Sequence, residues 1–390
     1  MNLRETPEAQ EFRAEVRCWM LRHLSGEFAA LRGVGPVGSQ GYDVALVKRW
    51  EARLAEHGWI GLDWPREHGG RALPLSLQMV FHEEYARCGG PWRLGHIGET
   101  LLAPTLIALG TPEQQRRFLP GIRHARSYWA QGYSEPGADS DLAGISTRAT
   151  RDARSGEWVL HGQKVWTSWA RESDWIFVLA RSEAGDAQRP RHAGMVFLLV
   201  PLAQPGVEIR PIRQITGSAE FNEVFFDGAR TEGSLHVGEP GRGWQVAMHL
   251  LGAERGASTL GQQAAFRREF EQIVALARRN GAARDPLLRQ RIARAALGLQ
   301  TLRSHALRVC GEAAPARAVA VSKYAWSNWR RALGELAMDV LGPDAAVARA
   351  DAQHAALRQL WLSSRADTIY AGSNEIQCNL IAERVLGMPR

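Results

Sequence analysis

The chain changes its hydrophobic rhythm twice, from helical to strand-like and back, and this order restricts its folds more than any other feature. From residue 6 to about residue 123 the apolar spacing is helical. Val47, Trp50, Leu54 and His57 fall on one face, and Leu77, Val80, Phe81 and Tyr85 on another. Gly58, Pro65, Gly69-Gly70, Gly89-Gly90-Pro91 and Thr111-Pro112 punctuate the stretch. Thr111-Pro112-Glu113-Gln114 predicts a helix start, with threonine as N-cap, proline at N1 and Gln114 closing a capping box.

Near Ser127 the period shortens. Glu157-Trp158-Val159-Leu160-His161 alternates, 175–180 and 195–200 are compact apolar runs, and Val207-Glu208-Ile209-Arg210 and Val224-Phe225-Phe226 continue the series. Short strands at this spacing, separated by Gly, Asp and Pro, predict an antiparallel sheet or small barrel. Gly238-Glu239-Pro240-Gly241-Arg242-Gly243 closes this region. Helical periodicity then returns over 244–280, 286–311 and 317–341, with Asp285-Pro286 as a break and a last helix from near Ser373 toward Val385. The expectation is an α+β multidomain chain: an N-terminal helical domain (1–126), a middle antiparallel β domain (127–237) and a C-terminal helical-bundle domain (238–390). No repeat or low-complexity linker separates them, so they are expected to pack as one body.

Composition excludes several classes. The chain has 390 residues, 45% hydrophobic and 23% charged, a globular profile too long for one ordinary core. Residues 1–15 are polar and charged rather than a secretory leader, and the densest apolar run, 194–202, is too short to span a bilayer. A cytoplasmic protein without a membrane span is expected. Four cysteines (Cys18, Cys88, Cys310, Cys378) and twelve histidines are scattered, which predicts neither disulfides nor a metal site. His82-Glu83-Glu84 begins like a zinc motif, but Ala86 stands where the second ligand is needed. The net charge of +7 comes almost wholly from arginine, since Lys48, Lys164 and Lys323 are the only lysines. A basic surface attracts nucleic acid, the phosphates of CoA or an acidic electron-transfer partner alike, so charge alone selects none of them. The arginines run along helices and no basic domain is appended, which argues against nucleic acid.

Tyr133-Ser134-Glu135-Pro136-Gly137-Ala138-Asp139-Ser140-Asp141 reads as a turn rich in hydroxyls and backbone N–H groups. Gly162-Gln163-Lys164-Val165-Trp166-Thr167-Ser168 places an aromatic ring and two hydroxyls together in a strand pair. Near the end come Asp367-Thr368-Ile369-Tyr370-Ala371-Gly372-Ser373-Asn374-Glu375-Ile376-Gln377 and Ile381-Ala382-Glu383-Arg384-Val385-Leu386-Gly387. In this order and spacing the segments resemble the acyl-CoA dehydrogenase family. Gly58-Trp59-Ile60-Gly61 and Trp64-Pro65-Arg66-Glu67-His68-Gly69-Gly70 fit the same pattern, so the likeness extends over essentially the whole chain.

The resemblance implies an FAD-dependent enzyme that desaturates an acyl-CoA between its α and β carbons, with a C-terminal four-helix domain. It implies that Gln131, Tyr133 and Ser134 contact the flavin ring and that Trp166, Thr167 and Ser168 pack on it and bond its edge. Ser140 would meet the CoA portion, Ser373 and Glu375 would lie near the adenosine end of FAD, and Gln290 would reach FAD across a subunit interface. A carboxylate must remove the α-proton while the β-hydrogen leaves as hydride to the flavin, and donors on the thioester oxygen must hold developing enolate charge. Many relatives carry the base directly after the tyrosine of the C-terminal motif, where this chain has Ala371. A branch that includes isovaleryl- and long-chain-type enzymes carries it on a helix before an arginine, and Gly252-Ala253-Glu254-Arg255 matches that place. Glu254 is therefore the expected base, with Arg255 beside the substrate; the bland alternative is an ordinary helix carboxylate paired with arginine. Two features depart from the pattern. An Arg-Lys-x-Phe-Gly segment that meets the FAD pyrophosphate is replaced by Arg278-Arg279-Asn280-Gly281, leaving Arg279 and Arg284 as alternatives. Gly342-Pro343-Asp344-Ala345 replaces a Gly-Gly-x-Gly turn, and Asp339 a common glutamine. The partners implied are an acyl-CoA, an electron-transfer flavoprotein as acceptor, and further subunits in a homotetramer or heterotetramer. A flavin-poor partner subunit and a DNA-associated family member stand as alternative functions.

Overall fold

The computed structural model describes residues 5–34, 42–182, 190–253, 261–309, 319–347 and 351–389. In chain order its helices are α1 (Pro7–His23), α2 (Val44–Glu56), α3 (Leu75–Arg87), α4 (Ala103–Leu109) and α5 (Pro112–Arg123). Seven strands follow: β1 (Trp129–Gly132), β2 (Arg148–Arg151), β3 (Trp158–Ser168), β4 (Trp175–Arg181), β5 (Met195–Pro201), β6 (Val207–Ile212) and β7 (Phe221–Thr231). The chain then returns to helix with α6 (Gly243–Ala253), α7 (Gln263–Arg279), α8 (Pro286–Val309), α9 (Ser322–Leu341), α10 (Ala352–Ser364) and α11 (Asn374–Leu380). The helix–strand–helix order is the one the hydrophobic rhythm predicts. Thr111 and Gln114 form the expected reciprocal capping box, and Asp285 caps α8 through the N–H groups of Leu287 and Leu288. Two four-residue strands, β1 and β2, and helix α10 were not anticipated.

By spatial contact the chain forms two units. A sheet unit holds Gln40–Leu73 and Trp92–Gly256; a helical unit holds Met1–Ser39, Pro74–Pro91 and Ala257–Arg390. The N-terminal segment thus contributes to both.

In the sheet unit the strand order is β1-β4-β2-β3-β7-β6, with β5 on β4. Pairing is mainly antiparallel, but β1 runs parallel to β4, and β2 meets β4 in parallel at Arg148–Arg181. Between β1 and β4 lie β2 and β3, a connection long enough for the crossover that parallel strands require. β4 and β5 explain their unbroken apolar runs: each is covered on both faces. Phe177, Leu179, Phe197 and Leu199 pack with Leu102, Leu106, Phe118 and Leu250 of the helices. Ile176, Val178, Leu198 and Val200 face Leu160, Val224 and Phe226 across the curled sheet. Thr231 Oγ1 donates to Leu199 O at 2.6 Å where β7 approaches β5. In the Gly58–Gly70 segment, Gly61 (φ +71°) lies against the Trp64 ring, and a Cβ on Gly70 would fall 2.0 Å from Trp64 O. Those glycines let the chain fold back over a fully buried indole.

In the helical unit Ile273, Leu276, Leu333, Leu336, Leu357 and Leu360 join α7, α9 and α10, while Phe266, Leu299 and Trp326 bring α8 into the bundle. Arg13 of α1 donates to Glu83 and Glu84 of α3 at 2.8 Å each. Among the described residues no helix is long and apolar enough to cross a membrane.

Candidate active site

β1 delivers Gln131 to the mouth of the Tyr133–Asp139 loop. Glu135 and Ala138 exchange backbone hydrogen bonds of 2.9 and 3.0 Å, closing the turn that Pro136 and Gly137 favour. Ser134 Oγ donates to Asp139 Oδ1 at 2.5 Å, and Ser134 O accepts from Val165 N at 2.9 Å. The loop is therefore stitched to β3 beside the segment that carries Trp166. Ser140 is exposed at its far end.

At the end of β3 the register with β7 slips between Lys164 and Thr167, a bulge that re-aims side chains. Trp166 sits there at φ +58°, a conformation that costs a bulky residue about 1–3 kcal/mol. The residue stays 51% exposed, and its ring stands edge-on to Phe221 at 6.3 Å. Asn222, fully buried, holds the bulge from the other strand by donating Nδ2 to Thr167 O at 3.0 Å and Glu220 O at 3.1 Å. Ser168 lies on the same strand face as Trp166. Thr167 does not: its side chain is buried on the opposite face, so only its backbone is available on the Trp166 side. On that inner face Thr167 Oγ1, both Glu220 carboxylate oxygens and Asn222 Oδ1 are buried without a hydrogen-bond partner among the described residues.

Lys164 and Glu135 tie loop and strand together. Lys164 Nζ donates to Glu135 Oε1 at 2.8 Å and to Tyr133 O at 3.0 Å. Glu135 also accepts from Ser146 N (2.6 Å), Ser146 Oγ (2.7 Å) and Thr147 N (2.9 Å). Burial opposes both charges. It draws Lys164 down to about 8, while for Glu135 the ammonium and the hydrogen bonds outweigh burial and hold the carboxyl at about 2. The pair is ionised at neutral pH. Neither residue was singled out from the sequence as a site residue, yet a signal was there. Lys164 is one of three lysines and shares a strand face with Trp158 and Leu160, where an amine needs a buried partner.

The remaining candidates belong to the helical unit. Ser373 caps α11 by accepting from Ile376 N, and Glu375 is exposed in the first turn, its carboxyl lowered by hydrogen bonds to its own backbone and to Ser373. Gln290 is exposed on α8. Arg279 bonds Gln353, and Arg284 is exposed. Ala371 adopts φ +53° and Gly372 φ +82°, with both carbonyls accepting from Gln377 Nε2. Tyr370 Oη donates to Asp367 Oδ1 at 2.7 Å, and Asp367 in turn accepts from the buried Arg330 at 2.8 Å. Glu254 and Arg255 lie outside the described residues.

An exposed indole fixed on a rigid strand, flanked by Ser168 and by the Ser134 loop, is a platform for a flat heteroaromatic ring with a polar edge. Such a surface is compatible with the flat ring of a flavin. Family models agree along the chain: the acyl-CoA dehydrogenase N-terminal domain matches 6–125, the middle domain 130–229 and the C-terminal domain 241–386. The chain is 55% identical over 385 residues, 98% of each protein, to acyl-CoA dehydrogenase IpdE1 of Mycobacterium tuberculosis. It is similar to the solved structure of the Tcur3481-Tcur3483 steroid ACAD, with TM-score 0.86, 30% identity and full coverage of both chains. It is also similar to the ChsE4-ChsE5 complex from M. tuberculosis, with TM-score 0.83 and 25% identity over 100% of each chain. The chain belongs to the acyl-CoA dehydrogenase family. It is an FAD-dependent oxidoreductase whose substrate is an acyl-CoA thioester.

Proposed function

We propose that this chain desaturates a ring-bearing acyl-CoA of steroid origin, working beside a second, different subunit. The observation that carries the substrate class is the full-length likeness to the Tcur3481-Tcur3483 steroid ACAD, whose name joins two chains. The ChsE4-ChsE5 complex is likewise a pair. An exposed stripe on α8, with Leu287 75% and Leu297 70% exposed and Gln290 on the same face, supports an apolar subunit contact. On these paired names a heterotetramer is the assembly expected, with a homotetramer as the alternative.

Within the site, Trp166 and Ser168 together with Gln131, Tyr133 and Ser134 hold the flavin ring, and Thr167 contributes through its backbone. Ser140 meets the CoA portion, Ser373 and Glu375 serve the adenosine end of FAD, and Gln290 reaches FAD across the subunit interface. FAD supplies the two-electron acceptor for the hydrogen that leaves the β-carbon. Glu254 takes the α-proton, and a carboxylate placed between acyl chain and cofactor is raised in pKa by desolvation, which matches it to a weakly acidic C–H. Arg255 holds the base and substrate. Electrons pass onward to an electron-transfer flavoprotein, and the reaction takes place in the cytoplasm.

The test is expression alone and with a co-encoded paralogue, followed by FAD content per chain, light scattering and a panel of straight, branched and ring-bearing acyl-CoAs. The highest kcat/KM on a ring-bearing thioester, in an oligomer of two different chains, is expected. A fully flavinylated homotetramer most active on straight chains would overturn both parts. An assembly whose FAD occupies only sites lacking Trp166 would establish instead the flavin-poor subunit.

A further inference from the structure

We propose that the buried Lys164–Glu135 ion pair is a positioning clamp that sets the spacing between the Ser134 loop and Trp166, and thereby the geometry in which the flavin is held. The inference rests on the flavin-site reading above. Three separate stretches converge on these two side chains: the loop after β1, the 146–147 segment entering β2, and β3. Lys164 is fully buried and sits two residues before Trp166, on the strand side of the bulge. Its amine grips the Tyr133 carbonyl while the neighbouring Val165 N–H grips the Ser134 carbonyl. The two successive carbonyls that precede Glu135 are thus both held by successive residues of β3.

The clamp is polar where packing alone would have been simpler. A buried ion pair adds little net stability compared with well-packed apolar side chains, because both charges lose their hydration. Its gain is directional. An ammonium whose hydrogen bonds point at a carboxylate and a carbonyl fixes distances and angles, which dispersion contacts between interchangeable apolar groups do not. Glu135 is saturated in the same way, with four donors on its two oxygens. On the far side of the bulge Asn222 holds Thr167 O and Glu220 O, and Trp169 N donates to Glu220 O at 2.7 Å. Trp166 is therefore suspended between two polar anchors, one to the loop and one to β7, and its left-handed backbone has no room to relax. Removing the loop anchor frees the Ser134 side relative to the indole.

The experiment compares Glu135→Gln/Lys164→Met, which removes both charges and keeps near-equal volume, with Lys164→Arg, Ser146→Ala and Trp166→Ala. Each is assembled as the complete protein. Readouts are apoprotein melting temperature, FAD Kd by fluorescence quenching, and visible circular dichroism of the bound flavin. In the double variant we expect a Kd at least about tenfold weaker and an altered flavin dichroism, together with a lowered apoprotein melting temperature, because the glutamine amide meets buried donors and Tyr133 O loses its amine. Lys164→Arg keeps the charge and restores part of the dichroic signal. Wild-type Kd and dichroism in a folded double variant would overturn the clamp. Should the double variant not fold, Ser146→Ala decides: it deletes one neutral donor to Glu135, and an unchanged Kd and dichroism there would overturn the clamp, whereas a few-fold weaker Kd supports it. Failure of the underlying site reading shows differently, as Trp166→Ala binding FAD like the wild type.

Discussion

Truncating Trp166 to alanine tests the flavin platform, and the structure sets the size of the effect. An indole side chain offers up to about 250 Å². With 51% of Trp166 exposed, about 130 Å² remains for a ligand to cover. At about 25 cal/mol per Å² this is a ceiling of about 3 kcal/mol. Binding realises only part of the area term, because ordering the ligand and desolvating its polar edge oppose it. The expected loss is therefore about 1.5–3 kcal/mol, a roughly 10- to 150-fold weaker FAD Kd. The fold should be nearly indifferent. Trp166 is half exposed, its ring stands edge-on to Phe221, and alanine inherits the same positive φ without adding strain. The assay is titration of apoprotein with FAD by flavin fluorescence, paired with the apoprotein melt. Trp166→Phe keeps a smaller ring and should fall between. A Kd within about threefold of wild type, with an unchanged melt, would refute the platform, because half an exposed indole cannot be covered by a ligand at so small a gain.

Glu254→Gln should leave FAD content unchanged and slow flavin bleaching by a good acyl-CoA at least about 10²-fold, with Ala371→Glu restoring part of it; near-normal bleaching would place the base elsewhere. Arg330→Met should destabilise the helical unit by about 3–5 kcal/mol, since it strands the buried Asp367 and leaves Glu269 unpaired, and urea unfolding checks this. His96 is lowered from 6.5 to about 4, chiefly by burial, so below pH 6.5 the unfolded chain takes up a proton that the folded chain refuses until about pH 4. Stability is thus lost as pH falls through that window, by about 2 kcal/mol once partial exposure of His96 is allowed for, and His96→Gln should flatten this part of the urea-stability profile.

The fold was legible where periodicity is produced by burial on one well-defined side. Val47, Trp50 and Leu54 are completely buried along α2, but His57 is exposed because the helix ends at Glu56 and the face they share stops there. The unbroken runs of β4 and β5 could be read as buried strands, yet not which partners cover them, because pairing is set by non-local crossover. The parallel β1–β4 ladder spans a connection that no local pattern announces. β1 and β2 are four residues each, too short for a period of two to stand out. α10 buries only Leu357, Leu360 and Ser364, a stripe too narrow to dominate its sequence.

The candidate site could be read from the sequence as segments but not as side-chain directions, and Thr167 shows why. Three consecutive residues on a strand cannot all face one ligand, so Trp166-Thr167-Ser168 must present two side chains and one backbone. Which two is fixed by the bulge, and the bulge depends on Asn222, 55 residues away and unremarkable in sequence. The same limit applies at Ala371. Sequence comparison reads that position only as lacking a carboxylate. The structure adds that it is a left-handed residue followed by a second left-handed one, with both carbonyls held by Gln377. A non-glycine side chain there already bears the backbone strain, so a carboxylate at 371 would add no conformational cost beyond what alanine already bears. Its absence is then a matter of chemistry rather than of folding. The proposal that Glu254 is the base therefore stands on the Glu254→Gln test, not on any backbone obstacle at Ala371.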